Sequence, residues 1–333
     1  MALLLVAALL MDECFAEAKR FHPLVGFGNY ALFLERRLNA TDTQWPFMLG
    51  CMCWCLAVVP IVLLTVVGMW LLSLYAPSWL YYVVSAAVLY FTIGQKSLKQ
   101  HGQAVAKPLA DYLSGKSDES DKQNSLHASR YALSMIVSRD TEQATPEQIA
   151  TGTIETITEN THDAVIGPLV FFVLFGAPGA VLFRLANTLD AMWGYRTERY
   201  ERFGKCAARA DDVLGYVPAR ITSLLMALSH PIHAINVFKS IFLTGRRWYS
   251  PNAGLVMAAG AGALNIRLGG DAVYQGTRKT RLTLGLDNQS KWPTVNDIQR
   301  SIWLMYQTSV LFVVMIWVYE GYQGFEFTGG YLL

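Results

Sequence analysis

The sequence predicts an all-α integral membrane protein with four or five membrane-embedded helices, one of them re-entrant, and helical cytoplasmic segments that form the site. Composition and the order of apolar runs point there. Of 333 residues, 53% are hydrophobic and only 16% charged, against about 25% charged in a soluble domain. Mean hydropathy is +0.28. Long polar stretches between the apolar runs argue against a channel. The net charge of +2 is too balanced for the basic footprint of a nucleic-acid binder.

The apolar runs come first. Phe47 to Tyr75 is uncharged and long enough to span, since a spanning helix needs roughly 20 apolar residues. Trp45 and Trp70 sit near its ends as interfacial anchors. Pro77 breaks it, and Trp79 to Gly94 returns the chain, giving a helical hairpin at 47–95. Ser301 to Tyr319 predicts a C-terminal transmembrane helix at 301–320. Ala2 to Met11 is too short to span alone and lacks the basic start of a signal peptide. Cys51, Cys53 and Cys55 lie inside an apolar run, where thiols act as small hydrophobes.

Two apolar stretches inside the core at 164–229 carry breakers. Ala164 to Phe183 contains Gly176-Ala177-Pro178-Gly179, and Val213 to Leu228 contains Pro218 and Arg220. Basic residues crowd Lys19 to Arg37, Lys96 to Arg139, Arg184 to Arg220 and Lys239 to Lys291. The positive-inside bias places all four on one side only if the chain turns back at Gly176–Gly179. A buried or re-entrant element is therefore expected there.

The polar segments are expected to hold the chemistry on a cytoplasmic face, since no disulfide framework is present. Segment 96–163 begins with an amphipathic helix, Ser97 to Leu113, followed by a mobile loop at 114–125 and a helix from Ala128. Thr145-Pro146-Glu147-Gln148 is an N-cap signature, with Pro at N1 and Gln at N3. The helix it opens carries Glu155, Glu159 and Asp163 at i, i+4, i+8, on one face within about 80°. Carboxylates running towards lipid are costly unless paired or metal-bound. Three roles stay open: a Mg²⁺ or acid–base site, a solvated helix face, and ion-pair partners for Arg130 and Arg139.

Further on, Asn187 and Asp190 share helical spacing, and Asp211-Asp212 precedes an apolar run. That pair is either a helix N-terminus matching the dipole or a metal-ligand pair. Segment 230–300 holds Ser250-Pro251-Asn252 and Arg267-Leu268-Gly269-Gly270, glycine-rich turns suited to close approach of a ligand. His230 and His233 lack a third zinc ligand nearby.

The order of these motifs resembles the CobD/CbiB family of cobalamin biosynthesis, the adenosylcobinamide-phosphate synthases. The resemblance rests on Glu155-Thr156-Ile157-Thr158-Glu159-Asn160 with Asp163, on Asn187-Thr188-Leu189-Asp190 with Gly194-Tyr195, and on Glu198-Arg199-Tyr200. It continues through Ala208-Arg209, Asp211-Asp212, Ser250-Pro251-Asn252 and Arg267-Leu268-Gly269-Gly270. It covers most of 1–333 as a single domain. The chain departs from the family pattern at Ala16-Glu17-Ala18 and at Leu255-Val256-Met257.

The resemblance implies an integral membrane ligase. It would use ATP and Mg²⁺ to join adenosylcobyric acid to aminopropanol phosphate, giving adenosylcobinamide phosphate. Glu155, Glu159 and Asp163 are the expected metal and acid–base cluster, with Asn160 orienting a ligand. Asp190, Asp211 and Asp212 are further metal candidates. Arg130, Arg139, Arg199 and Arg209 are candidates for phosphate or propionate, because a guanidinium binds both bidentately. Asn187, Tyr195, Ser250, Asn252, Gly269 and Gly270 are expected to line the substrate cavity. A later membrane enzyme of the pathway is a partner the resemblance suggests. A non-catalytic membrane relative and a corrinoid carrier remain as alternative readings.

Overall fold

The computed structural model describes residues 1–16, 22–39, 45–115, 118–195, 197–286 and 291–329, with side chains to 323. Glu17 and Ala18 of the N-terminal departure lie outside the described residues.

The chain opens with α1 (Ala2–Phe15) and α2 (Pro23–Leu38). His22 caps α2, its ring Nδ1 accepting the Leu24 N–H at 3.2 Å, with Pro23 at the first helical position. Helix α3 (Pro46–Tyr75) has 30 residues, about 45 Å at 1.5 Å each, more than a hydrocarbon core of about 30 Å requires. Pro77 ends the turn that starts α4 (Ser78–Thr92), as the sequence predicts. Then come α5 (Gln95–Ser114) and α6 (Glu119–Ser134).

The expected loop at 114–125 is mostly helix. The Asp118 side chain accepts the Asp121 N–H at 3.2 Å, and α6 starts at Glu119 rather than near Ala128. Glu119 and Asp121 fall in its first turn, where the helix dipole favours negative charge. Polarity there marks a helix N-terminus.

Helix α7 (Pro146–Thr161) begins with the predicted capping box. A π-turn at His162–Ile166 joins it to α8 (Gly167–Trp193). Gly176 interrupts α8 with φ 66°, ψ −159°, a conformation essentially reserved for glycine. The rings of Phe171 and Phe183 are 5.1 Å apart, whereas twelve residues of straight helix would separate them by about 18 Å. The chain therefore turns back on itself at Gly176, where a buried or re-entrant element was expected. Gly179 makes this reversal tight, since a Cβ there would lie 2.4 Å from the Phe171 carbonyl oxygen.

Helix α9 (Lys205–Ser229) precedes a bend of 110°, after which a short 3₁₀ turn leads into α10 (Ala234–Leu243). Helix α11 (Ala253–Leu264) is followed by β1 (Leu268–Tyr274), β2 (Thr277–Leu284) and α12 (Val295–Gly329). The expectation of helix throughout misses this antiparallel hairpin. Its turn has positive φ at Gln275 and Gly276 (49° and 73°), the pattern that matches strand twist. Among the described residues three helices are long and apolar enough to cross a membrane, or four if the bent pair around α9 and α10 counts as one.

The chain packs into two compact units. The first comprises 1–94, 163–218 and 313–333. Its core joins Phe27 of α2, Cys53 and Ala57 of α3, and Leu189 and Trp193 of α8 to Phe203. Gly50 lets α3 approach so closely that a Cβ there would meet the Phe203 carbonyl oxygen at 2.0 Å. The second unit comprises 95–162 and 219–312. At its centre α11 is fully buried. Its glycines admit neighbours: a Cβ on Gly260 would clash with Thr158 of α7, and one on Gly262 with the Val237 backbone of α10.

Candidate active site

Two polar centres emerge, one in each unit. In the second unit a cleft of about 370 Å³ opens beside the first turns of α7 and the β1–β2 hairpin. Arg139, Gln148, Arg278, Arg281 and the Gly269-Gly270 backbone line it, with Glu147 also on its wall. The loop that carries Arg139 is stapled to the hairpin. The Asp140 N–H donates to the Val273 carbonyl at 2.9 Å, and the Gly276 N–H to the Asp140 carboxylate at 2.7 Å. Arg130 holds the same loop by donating to the Ala144 carbonyl at 3.0 Å.

Glu155 organises the cleft from behind. It is buried, and its two oxygens accept from Arg139, from Arg281 at 3.0 and 3.2 Å, and from the Gly269 N–H at 2.7 Å. These bonds commit the carboxylate to fixing two guanidiniums and a backbone amide. Glu155 thus takes the ion-pair role with Arg139 that its sequence context left open. Burial lowers the Arg281 pKa, but the Glu155 charge and hydrogen bonds more than offset this, leaving it raised. Gly269 must be glycine: φ is 83°, and a Cβ would sit 2.1 Å from the Leu282 carbonyl oxygen. Gly270 (φ 75°) packs beneath Trp292.

The neighbours of Glu155 along α7 point elsewhere. Asn160 donates to the Thr156 carbonyl at 2.9 Å, within its own helix. Glu159 acts electrostatically on the Tyr249 phenol. Ser250 accepts the Ala253 N–H at 3.2 Å at the start of α11, and buried Asn252 accepts from Arg220 at 2.9 Å. Both tie down the entry to α11.

The first unit gathers the other carboxylates. Asp163 lies in the π-turn, Asp190 in the last turn of α8, and Asp211 and Asp212 in the second turn of α9. Because α9 begins at Lys205, the aspartate pair is not its N-cap. Asp163, Asp190 and Asp211 are close enough to act on one another electrostatically. Asn187 donates to Asp211 at 3.3 Å, and Arg209 acts on Asp212. Gly194 leaves room for this arrangement, since a Cβ there would be 2.0 Å from Asp190 Oδ1. Among the described residues no three His, Cys, Asp or Glu side chains are arranged to hold a metal ion. Mg²⁺, however, takes one or two carboxylates and completes its shell with water and substrate phosphate. The Asp190–Asp211 donor set fits that chemistry.

Arg199 is used structurally. It forms a forked pair with buried Glu35 of α2, with contacts of 2.8 to 3.0 Å. Its carbonyl also accepts from Asn39 at 3.2 Å. Tyr195 is exposed.

A family model for the CobD/Cbib protein matches residues 5–305. The chain belongs to the CobD/CbiB family. It is 42% identical to the cobalamin biosynthesis protein CobD of Chromobacterium violaceum over 309 residues, covering 91% of this chain and 92% of that one. The CobD of Stutzerimonas stutzeri is likewise 42% identical, over 90% and 92% of the two chains. A CbiB from Salmonella typhi is 37% identical over 70% of each. No solved structure matches significantly. As a CobD/CbiB protein, the chain is a membrane protein of cobalamin biosynthesis.

Within this family member, reading the sequence passed over Arg278, Arg281, Trp292 and Glu35. Arg281 and Arg278 had one available signal, the Gln275-Gly276 turn. It marks a hairpin and so places the basic residues that follow opposite Arg267-Leu268-Gly269-Gly270-Asp271.

Proposed function

We propose that this chain is an ATP-dependent amide ligase that joins the free propionate of adenosylcobyric acid to aminopropanol phosphate, yielding adenosylcobinamide phosphate. The observation that carries this reading is the cleft in which Arg139, Arg278 and Arg281 converge beside the N-terminus of α7. Two of these guanidiniums share the single Glu155 carboxylate and Arg278 pairs with Asp271, so the trio with both partners retains one positive charge. Arg278 is the most exposed, and its partner Asp271 is also accessible, so a phosphate can replace Asp271 at little desolvation cost. Glu147 tempers the local field, and selectivity rests on forked geometry rather than net charge.

The chemistry sets the remaining tasks. A propionate is a poor electrophile, so its oxygen must first take the γ-phosphoryl group of ATP, releasing ADP. The neutral amine then attacks the acyl carbon, the C–O bond to phosphate breaks, and inorganic phosphate leaves as the amide forms. The amine must shed a proton during this step. Glu159 is the acid–base candidate, since Glu155 is committed to its guanidiniums.

Asp190 and Asp211 would hold Mg²⁺, which supplies charge neutralisation on the transferring phosphoryl oxygens. Asn187 orients the Asp211 carboxylate for that task. The protein works in the bacterial plasma membrane with its site facing the cytoplasm, where ATP is available. That placement also keeps the product near the membrane enzyme that consumes it.

The test is ADP release by the purified protein. The reading requires release that depends on both adenosylcobyric acid and aminopropanol phosphate. Release with neither, or none with both, rejects it.

A further inference from the structure

We propose that α10 is an interfacial helix seated on an anionic phospholipid surface, with its outward apolar face in the acyl chains and Lys239, Arg246 and Arg247 on lipid phosphates. No Asp or Glu occurs between Asp212 and Asp271, so every charged side chain in that segment is basic. The inner side of α10 is fixed: Val237 and Ser240 are buried, and Gly262 of α11 packs against the Val237 backbone. Among the described residues nothing covers the opposite side. Ile235, Phe238 and Phe242, at i, i+3 and i+7, are 67%, 44% and 58% exposed, and Ile232 just before them is 93% exposed. An exposed stripe of this kind needs an apolar phase to cover it.

The charges identify that phase. Lys239, Arg246 and Arg247 are exposed, and none has an acidic partner among the described residues. The Arg246 guanidinium stacks 4.5 Å from the Phe242 ring centroid. This arrangement lets the ring sink while the charge stays at the headgroups. Helix α10 has only ten residues, half of what spanning requires, and follows a bend of 110°. Apolar and basic residues together on one short helix are the signature of a surface-lying element, buried about 5–10 Å into the headgroup boundary.

The test uses the full-length protein in lipid nanodiscs containing phosphatidylglycerol. Nitroxides are attached at Phe238→Cys and Phe242→Cys in a cysteine-free background. The expected result is relaxation by both dissolved oxygen and a water-soluble nickel chelate, at a depth just below the phosphates. Relaxation by nickel alone, by oxygen alone at bilayer-centre depth, or by neither would overturn the proposal, the last by revealing a protein partner. A second measurement uses the chain with its native cysteines. Spin-labelled phosphatidylglycerol should associate several-fold more strongly than spin-labelled phosphatidylcholine. In the Lys239→Gln, Arg246→Gln, Arg247→Gln variant this ratio should approach one. An unchanged ratio in that variant contradicts the proposal.

Discussion

Phe171 and Phe183 pack against each other, tilted by 40° with ring centroids 5.1 Å apart, across the break at Gly176. This contact gives the reversal in α8 its apolar closure, and the Gly176 backbone makes it sterically accessible. Replacing Gly176 by Ala should cost about 1–3 kcal/mol, because φ 66°, ψ −159° excludes a side chain without strain. Thermal unfolding in detergent measures it; an unchanged midpoint would mean that the reversal does not depend on this residue.

Glu155 should behave as a structural anion. Glu155→Gln leaves Arg139 and Arg281 buried without the one carboxylate they share, a type of loss that typically costs about 3–5 kcal/mol. Chemical denaturation of the variant should show it. Turnover lost at full stability would instead return Glu155 to direct chemistry.

Asp271 competes with an incoming phosphate for Arg278. Asp271→Asn should raise affinity for aminopropanol phosphate by roughly two- to fivefold, the scale of an exposed ion pair. Isothermal calorimetry can read it. The hydrogen bond from Arg278 holds the Asp271 carboxyl below its usual range. The pair is therefore intact above the ordinary carboxylate pKa and is lost only as pH falls through the depressed value. Phosphate affinity near neutral pH should not vary through this group.

Asp190→Asn and Asp211→Asn should each weaken Mg²⁺ activation by more than about 100-fold, since even outer-shell changes cost 10–100-fold. Asn187→Ala should have a smaller effect, because Asn187 only orients Asp211. The Mg²⁺ dependence of ADP release distinguishes them. Equal activation constants in all three variants and the parent would remove the cation from this centre.

Local signals in the sequence predicted local structure well. Thr145 and Gln148 form their reciprocal cap, Pro77 separates α3 from α4, and the glycines at 176 and 179 mark a reversal. What escaped is set by distant partners. Arg199 reads as a candidate for phosphate or propionate until α2 brings Glu35 against it, 164 positions away. Glu155, Glu159 and Asp163 share a face by spacing alone. Yet the hairpin claims Glu155, while the π-turn gathers Asp163 with Asp190 and Asp211. The periodicity of one helix cannot reveal which neighbour pairs with each turn.

Amide formation itself is the most direct test. Detergent-solubilised protein is supplied with adenosylcobyric acid, aminopropanol phosphate, ATP and Mg²⁺, and the corrinoid fraction is analysed by mass spectrometry. The account predicts adenosylcobinamide phosphate, with one ADP released per amide formed. Unchanged adenosylcobyric acid, under conditions in which an active relative gives product, would contradict it.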